Sequence, residues 1–248
     1  MLYNNQIENA QKYLSFEESK EYYKKDSVNI IFESNNIDLL EKVYALDKIY
    51  GCNLNLSQTG YVELCKRLEP FNQKIRNTEN YSEANNIVKG IANIQYKNNI
   101  HKKGILSEKE QEGPRKNRHI GLVFSSKYCY FTNISDGKDN DIFIIYDKYA
   151  DIAINYFKDK ENQTYKPKYN TENYDKYAAE VRELLYKVNK FTTTQYRCLD
   201  KYLWLFGQIL EAKHSQKKGL TRISYILEKY KFDSISCLEN NLDIRDIL

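Results

Sequence analysis

The sequence contains very few of the residues that end helices. Only nine glycines and three prolines occur in 248 residues. Long stretches therefore run without a strong helix breaker, which favours helices. The same scarcity excludes a collagen-like chain and does not suit a β-sandwich, whose many turns use these residues. The sequence therefore predicts an all-α fold with sparse or no strand.

Aromatic residues are frequent in a chain that is otherwise polar. Mean hydropathy is −0.74, yet 14% of the residues are aromatic, including 23 Tyr and 10 Phe. Disordered chains are poor in aromatic residues, so we expect an ordered core. The many tyrosines have two interpretations. An A/T-rich codon bias supplies Tyr, whereas Tyr also fills cores and stacks on nucleic-acid bases.

The expected organisation is a helical core flanked by two polar segments. We expect a polar arm or helix at residues 1–35, the core at 36–211 and a helical extension at 212–248. The first residues lack the basic and apolar parts of a secretory signal, and no apolar run is long enough to span a membrane. Five scattered Cys without a CxxC pair and three isolated His predict no metal site. We therefore expect a cytoplasmic protein with no cofactor.

Local signals set the expected helix boundaries. Asn36 is expected to cap a helix that ends before Gly51, and Pro70 to end the helix that follows. A short apolar run at residues 142–145 is expected to be extended, and Asp147 stands after it in the position of an N-cap. The segment behind Asp147 is the strongest amphipathic pattern, with apolar residues at Tyr149, Ile152, Ala153, Tyr156 and Phe157.

The positive charge of the chain is concentrated in one segment. Residues 97–127 contain eight Lys or Arg and three Glu, which gives this segment a net charge of +5. The whole chain has a net charge of +4, so the remaining residues together carry −1. Within it, the Gly-Pro turn at 113–114 is expected to expose the cations that follow. The candidate phosphate contacts are Arg115, Lys116, Arg118 and the neighbouring His119. The alternative is a loop whose charges are merely solvated.

Three short motifs carry a resemblance to known proteins. SSKYCYF at residues 125–131, IIYD at 144–147 and LDKYLW at 199–204 resemble segments shared by a group of bacterial proteins without an assigned function. Gly121 precedes Lys127, and Asp147 follows that lysine by twenty residues. This order resembles the helix-hairpin-helix DNA glycosylases, especially the 8-oxoguanine glycosylase branch. In that family a glycine-bearing hairpin leads to a lysine, and a later aspartate caps a helix.

The resemblance implies a helix-hairpin-helix, glycosylase-like helical bundle that acts on DNA. The enzyme would remove a damaged or modified base, and AP-lyase activity is a further option. Lys127 would attack the anomeric carbon, with burial beside Phe124 and Tyr128 favouring its neutral amine. Asp147 would stabilise the positive charge that develops on the sugar. A base flipped from the stack would be held by aromatic rings; the candidates are Tyr128, Tyr130, Tyr146 and Trp204.

The sequence also departs from the glycosylase pattern, and other interpretations remain. Only one glycine precedes Lys127 in the hairpin position, with no proline beside it, and Tyr149 stands where the family often has His. Asp147 could act as a helix cap alone, Lys127 could be a surface residue, and Trp204 could belong to the core. The alternative functions are a non-catalytic nucleic-acid-binding module of a bacterial defence or mobile-element system, and a helical protein-interaction protein.

Overall fold

The structure, a computed structural model, describes residues 31–49, 52, 54, 56–97, 117–134, 141–158, 166–189 and 196–214. These residues fall into two compact units. The first unit contains the described residues up to 134, and the second contains those from 141 onward. Most of the expected arm at 1–35 and of the extension at 212–248 lies outside the described residues. The same holds for the basic residues 98–116, which include Arg115 and Lys116.

The described residues of the first unit form four helices and a small ribbon, and residues 31–33 are helical as well. The helices are α1 (Leu39–Ile49), α2 (Gln58–Asn77), α3 (Tyr81–Ala92) and α4 (Gly121–Ile134). Between α3 and α4, strands β1 (Gln95–Lys97) and β2 (Asn117–His119) pair antiparallel. Helix α4 packs against all three preceding helices. It is therefore the central element of this unit.

The described residues of the second unit form three helices. They are α5 (Lys148–Lys158), α6 (Tyr174–Asn189) and α7 (Tyr196–His214). Helices α5 and α7 share a long interface, in which Phe157 stacks on Phe206 with ring centroids 4.9 Å apart. The prediction of a mostly helical chain with sparse strand is thus confirmed, since the described residues contain no strand besides the short ribbon. None of the described helices is long and apolar enough to cross a membrane.

Two expected helix boundaries are wrong. The residue that caps α1 is Asp38 and not Asn36. The Glu41 N–H donates to Asp38 Oδ1 at 2.8 Å, and the Asp38 N–H donates back to the Glu41 carboxylate at 3.3 Å. This reciprocal pair is a capping box, which satisfies two backbone donors at once.

Pro70 does not end its helix, because α2 continues through it to Asn77. An internal proline removes one backbone hydrogen bond and costs about 3 kcal/mol. Burial on both sides of the proline offsets this cost: Leu68 and Ile75 are fully buried, while Pro70 itself is exposed. The periodic apolar pattern therefore outweighs the proline here.

Residues 143–145 of the apolar run are buried, and the run 142–145 is not part of a strand. Its backbone is instead satisfied by side chains of α6 and α7. The Ile145 N–H donates to the Tyr196 hydroxyl at 2.6 Å, and the Tyr177 hydroxyl donates to the Ile145 carbonyl at 3.1 Å. The Arg182 guanidinium donates to the backbone carbonyls of Asp141 and Ile142. Tyrosine hydroxyls thus replace a sheet partner for this segment.

We expect Tyr196→Phe to destabilise the protein by about 1–3 kcal/mol, because the buried Ile145 N–H loses its acceptor. Urea unfolding followed by the fluorescence of Trp204, the sole tryptophan, measures the change. Tyr186→Phe is the matched control on α6, since Tyr186 is 65% exposed and its hydroxyl should contribute little. Equal midpoints for the two variants would show that the Tyr196 hydroxyl does not support the segment.

Candidate functional site

Lys127 lies in the middle of α4 and is almost completely buried. Only 6% of its surface is exposed. The helix begins at Gly121, whose φ of +77° is the left-handed conformation that favours glycine. Nearly every residue of α4 after its first turn is buried, so the helix has no solvent-facing side. Lys127 is therefore not an exposed residue, although a buried stem whose amine alone reaches the surface is compatible with this burial. It also interacts with other groups within the structure.

Two of the predicted base-pocket residues, Tyr128 and Tyr130, also belong to α4 and are buried. The Tyr128 ring stacks on Phe124 with centroids 5.8 Å apart and planes 9° apart. Its hydroxyl donates a short hydrogen bond to Asn72 on α2. Burial raises the pKa of the Tyr128 hydroxyl well above its usual value. These contacts make Tyr128 part of the packing between α2 and α4.

Two of the predicted nucleic-acid contacts, Arg118 and His119, lie on strand β2 directly before α4. Arg118 stands on β2 opposite Tyr96. His119 is exposed, and its Nδ1 atom lies 3.1 Å from the Asn93 carbonyl oxygen. Because β1 and β2 pair antiparallel, the residues on either side of the undescribed segment 98–116 lie next to each other.

Asp147 begins α5 in the second unit. Its Oδ1 atom accepts the Tyr149 N–H at 2.9 Å, and its backbone carbonyl accepts the Asp151 N–H at 2.9 Å. The predicted N-cap is therefore confirmed. The side chain is partly exposed, so the carboxylate combines the cap with access to solvent.

Tyr146 and Trp204 are the other two predicted base-pocket residues, and both belong to the second unit. The Tyr146 hydroxyl lies within hydrogen-bond distance of Asp151 Oδ2 (3.0 Å) and of the Tyr169 carbonyl (2.9 Å). Burial raises the pKa of this hydroxyl, and the Asp151 carboxylate raises it further. Trp204 is partly exposed and meets the Tyr149 ring edge-on, with centroids 6.4 Å apart.

The predicted residues are thus divided between the units. Lys127, Tyr128 and Tyr130 share α4, with Arg118 and His119 on the strand before it. Asp147, Tyr146 and Trp204 belong to the second unit, where Trp204 contacts the tyrosine whose N–H Asp147 caps.

Sequence reasoning missed two buried carboxylates. Asp47 accepts the Tyr61 hydroxyl at 2.6 Å and the Leu54 N–H at 2.9 Å, and so orders the chain between α1 and α2. Asp151 is fully buried in α5. Neither residue belongs to a recognisable motif. The available signal for Asp151 was its place one turn after Asp147, beside an apolar stripe.

Potential metal ligands do not cluster in the part of the chain that the structure describes: no group of three or more His, Cys, Asp or Glu could hold an ion there. The described cysteines at positions 52, 65 and 129 form no disulfide with one another, and burial raises the pKa of Cys65 to about 11. A search of protein-family models, curated proteins and solved structures finds no match to this chain. The class that the fold defines is a mostly helical protein of two compact units.

Proposed function

We propose that the protein is a DNA glycosylase-like enzyme in which Lys127 is the nucleophile and Asp147 the supporting carboxylate. The observation that carries the proposal is the burial of Lys127, which is 6% exposed. Lysine is almost never buried in proteins without a structural or functional reason. A nucleophilic attack by this side chain needs the amine in its neutral form.

The proposed reaction begins at the anomeric carbon of a flipped nucleotide. The neutral Lys127 amine forms a bond to this carbon as the glycosidic bond breaks, and the base leaves with the bonding electrons and takes up a proton. The Asp147 carboxylate stabilises the positive charge on the sugar. Loss of the amine proton and ring opening give a Schiff base, from which β-elimination can cleave the strand. Because so little of the Lys127 side chain is accessible, the flipped nucleotide has to displace the side chains around it.

The test is borohydride trapping with oligonucleotides that carry a panel of modified bases. We expect a covalent adduct with the unmodified protein and none with Lys127→Met, which keeps the length and apolar character of the side chain. Lys66→Met on α2 is the control, since Lys66 is exposed. The absence of both an adduct and Lys127-dependent base release across the panel would rule out the enzyme.

Asp147→Asn separates the cap from the proposed catalytic role. Asparagine caps helices about as well as aspartate, so stability should change by only a few tenths of a kcal/mol. The charge on the sugar would lose its counterion, and base release should slow about 10²–10³-fold. A variant that loses stability but keeps its rate would assign Asp147 to the cap alone.

A non-catalytic nucleic-acid-binding module is the second candidate, favoured by the ribbon beside the basic segment. Here binding to DNA should survive replacement of Lys127 and Asp147 but weaken when Arg115, Lys116 and Arg118 are replaced together. The binding constant should also fall steeply with salt, because phosphate contacts release counterions. Binding without base release or an adduct would favour this module.

A further inference from the structure

The first unit contains a cleft between α1, α2 and α4 that no step of the proposed reaction uses. Its volume is about 170 Å³. The apolar residues of its lining are Phe32, Ile37 and Leu39, and the polar ones are Lys42, Asn72, Arg76, Tyr128 and Thr132. A small ligand that carries both polar and apolar groups would suit this mixed lining.

The polar side chains that line the cleft include two cations from different helices. Lys42 belongs to α1 and Arg76 to the last turn of α2. Burial lowers the pKa of the Lys42 amine, and the positive charge of Arg76 lowers it further. No carboxylate is among the described residues that line the cleft. The two positive charges therefore repel each other.

Two of the donors that line the cleft, Lys42 and Asn72, are held in place by hydrogen bonds. The Lys42 amine donates to the Phe32 carbonyl at 3.0 Å, which fixes its position and leaves two further N–H groups. The Asn72 carbonyl oxygen accepts the Tyr128 hydroxyl, so the NH₂ group of Asn72 remains as a donor. A guanidinium, an ammonium and an amide NH₂ are the groups that bind phosphate oxygens in proteins.

From this geometry we infer that the cleft binds a phosphate monoester, with the phosphate against Lys42 and Arg76 and its substituent among the apolar side chains of the lining. The ligand can be a free mononucleotide or the 5′-phosphate at the end of a DNA strand, since both present the same group. The inference does not rest on the proposed enzyme, because Lys127 does not line the cleft.

Calorimetric titration of the full chain tests the site with four probes: inorganic phosphate, adenosine 5′-monophosphate, and a short oligonucleotide with or without a 5′-phosphate. We expect saturable binding of the three phosphorylated probes. Lys42→Met and Arg76→Gln should each weaken it at least tenfold. The matched controls are Lys48→Met on α1 and Lys74→Gln in the last turn of α2. Both remove an exposed cation from the same helix and should leave binding unchanged.

Each outcome of the titration decides the question. Tighter binding of the 5′-phosphorylated oligonucleotide than of the mononucleotide identifies a strand end as the ligand, and the reverse order identifies a free nucleotide. The inference fails if no probe saturates. It also fails if the cleft and control variants weaken binding alike, because the effect is then one of overall charge.

Acylation of lysines in the unmodified protein, followed by mass spectrometry, needs no variant. Adenosine 5′-monophosphate should protect Lys42 several-fold while Lys48 and Lys74 react as before. Equal labelling with and without the nucleotide would overturn the inference even if the cleft variants did not fold. A Lys127→Met protein should still show the protection, which separates this test from that of the enzyme.

Discussion

Gly207→Ala should destabilise the second unit by about 3 kcal/mol or more. A Cβ atom at position 207 would lie 1.9 Å from the carbonyl oxygen of Tyr149 and 2.6 Å from its carbonyl carbon. These are backbone atoms of α5, so no side-chain rotation can relieve the overlap. The substitution forces α5 and α7 apart along their shared interface, and overpacking of this kind costs more than the helix propensity that alanine gains.

Trp204 is one turn from Gly207 on α7, so its fluorescence during urea unfolding reports on this interface. Gly90→Ala is the matched control. Gly90 is an exposed residue of α3, and a Cβ there would meet only the Phe71 ring at an ordinary 3.4 Å. The control should be neutral or should gain up to about 1 kcal/mol. A Gly207→Ala protein with an unchanged unfolding midpoint would mean that the helices are not in this close contact.

The sequence predicted well those features that depend on neighbours along the chain. The apolar spacing behind Asp147 identified α5, and Asp147 itself was correctly expected to cap it. Both rest on the 3.6-residue period and on the chemistry of a single turn. The same local reasoning failed at Pro70, because the burial that carries α2 past the proline comes from other helices.

Features that depend on distant partners could not be predicted. Helix α4 is buried on nearly every side by packing against other helices, and the sequence alone left open whether Lys127 was buried or a surface residue. The 142–145 segment receives its hydrogen bonds from tyrosines about 30 to 50 residues further along. The cleft joins Lys42 to Arg76, which no sequence spacing connects.

The tyrosine content illustrates the limit of composition as evidence. Codon bias, core filling and base stacking were the interpretations open to the sequence, and none of them predicted that the hydroxyls of Tyr177 and Tyr196 bond a buried backbone segment. A tyrosine hydroxyl can serve there because it both donates and accepts hydrogen bonds at the end of an apolar ring. The buried carboxylate of Asp151 also bonds backbone groups of a segment further along the chain.

Asp151→Asn should destabilise the protein by about 2–4 kcal/mol. The buried carboxylate accepts hydrogen bonds from the backbone N–H groups of Lys168 and Tyr169, and from the side chains of Tyr146 and Asn155. An asparagine has only one acceptor oxygen, and its NH₂ group would face donors. Buried donors left unpaired cost about 1–3 kcal/mol each, less whatever the surroundings recover by rearranging. The loop before α6 would also lose its attachment to α5.

The dependence of this effect on pH tests the physical cause. Burial raises the pKa of the Asp151 carboxyl above its ordinary 3.8, and the hydrogen bonds only partly oppose the rise. Between these two pKa values the folded protein holds a proton that the unfolded chain has lost. The free energy of unfolding therefore decreases as pH rises through this window. The Asp151→Asn variant has no carboxyl to ionise at this position, so its stability lacks this pH dependence. The amount by which the unmodified protein is more stable than the variant should therefore decrease as pH rises from about 4.

Urea unfolding of both proteins at several pH values measures that difference, and other titrating groups cancel because the two chains share them. Glu183→Gln is the control, since Glu183 is exposed and pairs only with Lys187 in the described structure. A difference that widens with pH would show that the hydrogen bonds outweigh burial and that Asp151 is held as a stabilised anion. A difference that narrows with pH would show that ionisation of the buried Asp151 carboxyl lowers the stability of the protein. The value of the carboxylate would then lie in the hydrogen bonds that connect α5 to the loop before α6.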